Sequence, residues 1–265
     1  MSRLTDAFAG TRRTRLVAYV TAGDPDLQQS REIVRAVARG GADVIEIGVP
    51  FSDPIADGPV IQRASERALA AGGTLTTVLD LVADVRQDVA VPIVLFTYVN
   101  PVLRFGTDAF VARAAAAGVD AALLLDLPIG ESEAMHRTLS AGGIDQVFLV
   151  SPTTSDARLA EAARLGRGFL YAISRLGVTG ARDVVSTSAA PLVARLRRFT
   201  DLPIALGFGI STPDHVRQVM EYADAAVVGS ALVALIAEAS GSPHLIPRVE
   251  EYVRSLRAAC VMTQA

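Results

Sequence analysis

Residues 43–59, DVIEIGVPFSDPIADGP, contain the pattern that decides the fold. The segment begins with a run of apolar, partly β-branched residues, which is typical of a buried β-strand, but Glu46 lies in the middle of that run. The run ends at Gly48, and a loop follows that carries a second acid, Asp57. An isolated carboxylate buried among apolar groups is costly unless it is paired or neutralised. We therefore interpret Glu46 and the loop after it as the centre around which the rest of the chain is organised.

Strand patterns alternate with helix patterns on both sides of this segment. Eight apolar runs alternate with helical patterns, and they begin near residues 15, 43, 91, 120, 146, 168, 202 and 224. Near-continuous apolar strands are typical of a parallel sheet that is covered on both faces. Eight βα units in about 250 residues is the count of a TIM barrel.

We therefore predict an α/β fold, namely a single-domain (β/α)8 TIM barrel over residues 1–265 with extra N-terminal and C-terminal helices. Alternation alone leaves a doubly wound sheet open as the alternative. No GxGxxG opens the first helix after the first strand, which weakens that alternative.

The composition excludes several classes of function. The net charge is −3 and no basic stripe is present, so we expect neither a nucleic acid nor a membrane as partner. The start of the sequence has no long apolar segment of the secretory type, and Cys260 is the only cysteine. Both observations favour a cytoplasmic protein.

The absence of lysine restricts the chemistry. All 25 cationic side chains are arginines, so a Schiff-base aldolase or a pyridoxal phosphate enzyme that uses its own lysine is excluded. The sequence has only three histidines, which disfavours a histidine metal site or a Ser-His triad, and no metal is expected. Catalysis is left to carboxylates, hydroxyls and backbone amides.

In a TIM barrel the active site lies at the carboxyl ends of the strands. Alternation places Glu46 on the same face as Val44, and an inward-facing Glu46 would have a raised pKa and could donate or accept protons. The alternative is a structural Glu46 that pairs with an arginine or faces the helices. Asp57, which follows in a loop, is either functional or an ordinary turn residue.

A phosphate site is predicted after the seventh and eighth strands, where glycines permit close backbone approach. Gly209 and Gly229 end those two strands, Ser230 opens a short helix, and Gly180 lies in a long loop after strand six. The alternative is that these glycines serve only as turn residues.

Several motifs together resemble one known family, the tryptophan synthase alpha subunit. They are IEIGVPFSDPIADGPVIQRA (45–64), YVTAGDP (19–25), TYVNP (97–101), DLP (126–128), SRLGVTGAR (174–182), GFGIS (207–211) and GSALV (229–233). They occur in the order and spacing of the family, and the resemblance covers essentially the whole chain.

The resemblance implies a lyase that cleaves indole-3-glycerol phosphate to indole and glyceraldehyde 3-phosphate by a retro-aldol reaction. It implies that Glu46 is the catalytic acid and base and that Asp57 hydrogen-bonds the indole N–H and stabilises positive charge on the ring. The remaining substrate contacts that it implies are Tyr19, Tyr171, Thr179 and Phe208, and the implied phosphate cradle is Gly180, Gly209, Gly229 and Ser230.

The resemblance also implies a partner, a beta subunit that carries pyridoxal phosphate and receives indole in an alpha2beta2 tetramer for L-tryptophan synthesis. Asp53, Pro54 and Asn100 would face that partner, and this chain itself would hold no cofactor. Three alternatives stay open: a free-standing indole producer, a non-catalytic barrel that regulates a beta subunit, and, from the fold alone, a sugar-phosphate isomerase.

Overall fold

Each predicted apolar run forms a strand, and the eight parallel strands close into a barrel in sequence order. The computed structural model describes residues 2–9, 14–173, 189–207 and 209–260. The strands are β1 (Arg15–Thr21), β2 (Val44–Gly48), β3 (Ile93–Thr97), β4 (Ala121–Leu124), β5 (Asp145–Val150), β6 (Leu170–Ile173), β7 (Ile204–Gly207) and β8 (Ala225–Val228). Pairing of β1 with both β2 and β8 closes the ring, so the predicted TIM barrel is confirmed.

Helices follow the strands and cover the outside of the barrel. Within the described ranges they are α1 (Arg3–Phe8), α2 (Leu27–Arg39), α3 (Pro59–Ala70), α4 (Leu75–Val85), α5 (Val99–Phe105), α6 (Thr107–Ala117), α7 (Glu133–Ala141), α8 (Asp156–Leu165), α9 (Ala189–Leu196), α10 (Pro213–Val219), α11 (Ser230–Ala239) and α12 (Leu245–Ala259). The predicted additional helices at the two ends are α1 and α12. The organisation of residues 1–265 as one domain stays a prediction.

The strands are buried on both faces, which explains why they read as continuous apolar runs. One face of each strand packs under the helices in a large apolar cluster that includes Ile45 and Ile47 of β2. The other face fills the barrel interior with a second cluster that is rich in small and β-branched residues: Val17, Val44, Val94, Ala121, Leu123, Val147, Ala205, Ala225 and Val227. Glu46 has the inward parity of Val44, so its side chain belongs to the barrel interior.

Helix α1 closes the amino end of the barrel. Its Leu4 is fully buried in the interior cluster, and the ring of Phe8 lies 5.6 Å from that of Phe169, centroid to centroid. Arg3 holds the helix in place through an ion pair of 2.7 Å with Asp120. With this end filled, the carboxyl ends of the strands are left to form a site.

The pair Asn100 and Pro101, which follows β3 in the sequence, lies in the first turn of helix α5. Proline is tolerated there because the first N–H groups of a helix have no partner within the helix. The carboxylate of Asp126 accepts the N–H of Val99 at 2.7 Å and so caps α5 from the neighbouring strand end.

No single helix in the described part of the chain has the length and apolar character that a membrane span requires. The helices Pro59–Ala70 and Leu75–Val85 pass such a test only when they are taken together, and they meet at a bend of 92°.

Candidate active site

Glu46 is completely buried at the middle of β2. Its register neighbours are Tyr19 on β1 and Val94 on β3. Neither carboxyl oxygen of Glu46 makes a hydrogen bond within the described residues, and no described arginine forms an ion pair with it. Burial raises the pKa of Glu46 to about 8. The carboxyl group is therefore mostly protonated at neutral pH.

Asp57 lies where the loop after β2 enters helix α3. Gly58 is the N-cap of that helix and Pro59 its first residue, a combination in which the proline loses no helical hydrogen bond. The backbone of Asp57 is held on both sides, because its N–H donates to the carbonyl of Pro54 at 3.0 Å and its carbonyl accepts Nε2 of Gln62 at 2.8 Å. The sequence-predicted loop acid is thus placed at a fixed position before a helix N-terminus, where negative charge is stabilised.

The Asp57 carboxyl is buried, and only 5% of the residue is exposed. Its Oδ2 accepts a hydrogen bond of 3.1 Å from the hydroxyl of Tyr98. Burial raises the pKa of Asp57 to about 6, and the hydrogen bond from Tyr98 opposes part of that rise. At neutral pH Asp57 is mostly ionised while Glu46 is mostly protonated, so the two acids are set for different roles.

Aromatic side chains form the walls between the two acids. The rings of Tyr19 and Phe96 meet edge to face with centroids 5.2 Å apart, and Tyr19 also packs with Ile61 of α3. Tyr171 lies on β6. Burial raises the pKa of both Tyr19 and Tyr171, and the charges of Glu46 and Asp57 raise it further. The structure therefore places Tyr19 and Tyr171 near the two acids, and their role as substrate contacts stays a prediction.

Each of the two tyrosines lies over a glycine of the next strand. A Cβ atom on Gly48 would stand 2.1 Å from the Tyr19 hydroxyl oxygen, and one on Gly207 would stand 2.5 Å from that of Tyr171. No side chain fits at such distances, so both tyrosine rings depend on a glycine in the adjacent strand.

The variant Gly48→Ala is expected to lower the free energy of unfolding by about 2–3 kcal/mol, because overpacking a filled interior forces Tyr19 from its position. Urea denaturation measures this change. The matched control is Gly130→Ala, whose Cβ would meet nothing nearer than Glu161 Oε2 at 3.8 Å. An equal, small effect in both variants would contradict the expectation.

The predicted phosphate residues lie at the carboxyl ends of β7 and β8. Gly209 has a φ of 76°, a conformation that favours glycine. Gly229 is the N-cap of α11, it makes no side-chain capping hydrogen bond, and Ser230 is the first residue of that helix. Helix N–H groups without a cap are suited to an anion. A Cβ on Gly229 would lie 3.5 Å from Cβ of Tyr19, so this end adjoins the aromatic walls.

Three predicted site residues, Thr179, Gly180 and Phe208, lie outside the described residues. Their roles stay predictions from the resemblance.

The residues predicted to face a partner are at the surface beside the site. Asp53 and Asn100 are exposed, and Pro54 is partly buried. Asp53 and Pro54 line a groove of about 270 Å³ whose wall includes Ile55, an apolar side chain with 81% of its surface exposed. Single exposed apolar side chains are common on protein surfaces, so the role of this groove as a partner contact stays a prediction.

Sequence reasoning assigned no role to two residues that the structure places at the site, Tyr98 and Phe96. Tyr98 contacts Asp57, and Phe96 contacts Tyr19. The motif TYVNP contained the relevant tyrosine, but a strand-end tyrosine gives no sign of which loop it will meet. Among the described residues, no three metal-ligating side chains come together.

A closed (β/α)8 barrel with two buried acids and an uncapped helix end at one mouth defines the class, a TIM-barrel enzyme that works through buried carboxylates. The family model for the tryptophan synthase alpha chain matches residues 6–261. The tryptophan synthase alpha chain of Solibacter usitatus is 49% identical over 257 residues, which are 97% of this chain and 96% of that one. The chain belongs to the tryptophan synthase alpha chain family, so the predicted family is confirmed.

Solved structures of tryptophan synthases have the same fold as this chain. A tryptophan synthase structure from Mycobacterium tuberculosis matches with a TM-score of 0.90 at 37% identity and covers 98% of each chain. A tryptophan synthase complex from Pyrococcus furiosus matches with a TM-score of 0.85 at 36% identity, over 93% of this chain and 98% of that one.

Proposed function

We propose that this protein cleaves indole-3-glycerol phosphate to indole and glyceraldehyde 3-phosphate. One observation carries the proposal: two buried acids, Glu46 without a hydrogen-bond partner among the described residues and Asp57 bound by Tyr98, accompany an aromatic wall of Tyr19 and Phe96. A retro-aldol cleavage of this substrate requires a proton donor for the ring carbon and a negative charge for the ring nitrogen. The raised pKa of Glu46, about 8, and the lower pKa of Asp57, about 6, support those two roles.

Glu46 supplies and recovers the proton. The protonated carboxyl group donates its proton to C3 of the indole ring, which turns the ring into an iminium-type electron acceptor. The resulting carboxylate then removes the proton of the side-chain hydroxyl, the C–C bond to C3 breaks, and its electron pair returns to the ring. Glu46 ends protonated, as it began, so the cycle is balanced.

Asp57 stabilises the positive charge that develops on the ring. Its carboxylate would accept a hydrogen bond from the indole N–H, an interaction that strengthens when the ring is protonated. Burial makes the interaction stronger than it would be in water, since only 5% of Asp57 is exposed. The aromatic walls formed by Tyr19 and Phe96 suit a flat indole ring.

The phosphate group would be held by the backbone amides around Gly209, Gly229 and Ser230. The first N–H groups of α11 have no side-chain cap, and the helix dipole favours an anion at that end. Because Gly229 adjoins Tyr19, a substrate whose ring lies against Tyr19 places its phosphate end toward α11.

A beta subunit is the expected partner, and it would carry the pyridoxal phosphate that converts indole to L-tryptophan. The exposed Asp53 and Asn100 and the groove beside Ile55 support this part of the proposal. We expect an alpha2beta2 assembly in the cytoplasm and no cofactor in this chain.

The rate of cleavage is expected to follow a bell-shaped pH profile. Activity rises with pH through about 6, where Asp57 loses its proton, and falls through about 8, where Glu46 loses the proton that it must donate. Steady-state kcat/KM measured from pH 5 to pH 9.5 would show both limbs. A rate that keeps rising above pH 9 would contradict the role of Glu46 as the initial acid.

The direct test is release of indole by the purified chain from indole-3-glycerol phosphate, with and without a beta subunit. Cleavage by the chain alone is the expected result. Failure to cleave in both conditions would overturn the proposal and favour a non-catalytic regulatory barrel. Gel filtration of the same mixtures distinguishes a member of a complex from a free-standing indole producer.

A further inference from the structure

Tyr98, which has no role in the mechanism above, makes three contacts with the loop that carries Asp57. We define the β2–α3 loop as residues 49–58. The Tyr98 hydroxyl donates to Asp57 Oδ2 at 3.1 Å and accepts the N–H of Ala56 at 3.0 Å. The ring of Tyr98 packs on that of Phe51 with centroids 5.0 Å apart. Only 3% of Tyr98 is exposed, so water does not compete effectively for these bonds.

Tyr98 is itself held from the opposite side. It is the N-cap of α5, directly before Val99, whose N–H is bound by Asp126 at 2.7 Å. The tyrosine is therefore anchored on the β3 and β4 side of the barrel while its hydroxyl reaches the β2–α3 loop. This connection joins two parts of the chain that are separated by 41 residues.

The direction of the hydrogen bonds favours one state of Asp57. A phenolic hydroxyl has a single proton, and because its oxygen already accepts the N–H of Ala56, that proton is directed to Asp57. An ionised carboxylate accepts this hydrogen bond more strongly than a protonated carboxyl group does, because its oxygens carry negative charge. The Tyr98 hydroxyl consequently stabilises the carboxylate form.

We propose that Tyr98 is a positioning residue that holds Asp57 and the β2–α3 loop in the orientation needed to meet the indole nitrogen. The effect on catalysis rests on the proposed function, whereas the effect of Tyr98 on the pKa of Asp57 does not.

The other titratable groups near Asp57 do not replace Tyr98. Tyr19 from β1 and Tyr171 from β6 interact with Asp57 through its charge, and buried Glu46 lies on β2 beside Tyr19. None of the three donates a hydrogen bond to Asp57, and no described cation pairs with it. Tyr98 is therefore the described side chain on which the carboxylate state of Asp57 depends.

The test is the variant Tyr98→Phe, which keeps the ring on Phe51 and removes the hydroxyl. We expect kcat to fall by about tenfold or more and KM to change by less than about threefold. The lost bond orients Asp57, whose carboxylate matters most when the ring becomes positively charged in the transition state and less when the neutral substrate binds. The acid limb of the pH profile, at about 6 in the wild-type protein, should move up by about one pH unit. A role confined to packing would leave that limb in place.

The matched control is Tyr222→Phe. Tyr222 is a partly buried tyrosine between α10 and β8, at the amino end of the strands and thus opposite the site. This variant should keep both the rate and the acid limb of the wild-type protein.

A second measurement does not require activity. Titration of the Asp57 carboxyl carbon by NMR in the substrate-free protein should give a midpoint about one pH unit higher in Tyr98→Phe than in the wild type. An unchanged midpoint together with an unchanged kcat would overturn the inference. If the wild-type chain releases no indole, the proposed function fails, and the NMR titration still decides the inference about Tyr98.

Discussion

Glu46→Gln is expected to release indole at least about 10³-fold more slowly than the wild-type chain, since loss of a general acid and base typically costs 10²–10⁴ in rate. The amide has nearly the same shape, but it can neither give a proton to the ring nor take one from the hydroxyl. Single-turnover indole release with saturating substrate measures the chemical step. KM should change little, because the amide still fills the site on β2.

The matched control is Glu221→Gln, which changes an exposed glutamate between α10 and β8, at the amino end of the strands and thus opposite the site. It should keep wild-type turnover. A Glu46→Gln variant with turnover within about tenfold of the wild type would show that another group moves the proton.

The same variant has an expected effect on stability. Burial holds the pKa of folded Glu46 at about 8, above its ordinary value of 4.5, so the folded state keeps a proton that the unfolded chain releases. The stability that this proton contributes is fully present below pH 4.5 and is lost as pH rises through 8. The glutamine variant cannot titrate at this position, so its free energy of unfolding does not fall in this way. The difference between the variant and the wild type should therefore change by roughly 4 kcal/mol in favour of the variant between pH 4 and pH 9. Urea denaturation at several pH values measures it.

Asp57→Asn is expected to lower kcat by about 10²–10³-fold, the usual loss when one preorganised electrostatic group is removed from a buried site. The neutral amide cannot balance the positive charge on the protonated ring. It should also remove the acid limb of the pH profile near 6, since no group with that pKa remains at the position. The alkaline limb near 8 belongs to Glu46 and should stay.

The control for this variant is Asp201→Asn, an exposed aspartate in the loop before β7. Full retention of rate and of both pH limbs is the expected outcome for the control. If Asp57→Asn kept the acid limb, the titration near pH 6 would have to be assigned to a different group.

The two acids show how much of the site could be predicted from the sequence. A single acid inside an apolar strand favoured an inward-facing Glu46 but left a structural glutamate open, and the structure shows the residue at 0% exposure. For Asp57 the sequence showed only a loop position. Its burial and its pKa of about 6 depend on Tyr98 and on the start of α3, which the loop sequence does not reveal.

The sequence by itself determined the order of strands and helices, the barrel class and the family. These features follow from patterns repeated within a few residues, namely apolar runs, glycine and proline positions, and local motifs. Only the tertiary structure decided the contacts between separate units: Tyr98 with Asp57, Tyr19 over Gly48, and Asp126 with the start of α5. Such contacts join positions that are distant in sequence, and they depend on strand register and ring orientation, which exist only once the barrel has closed.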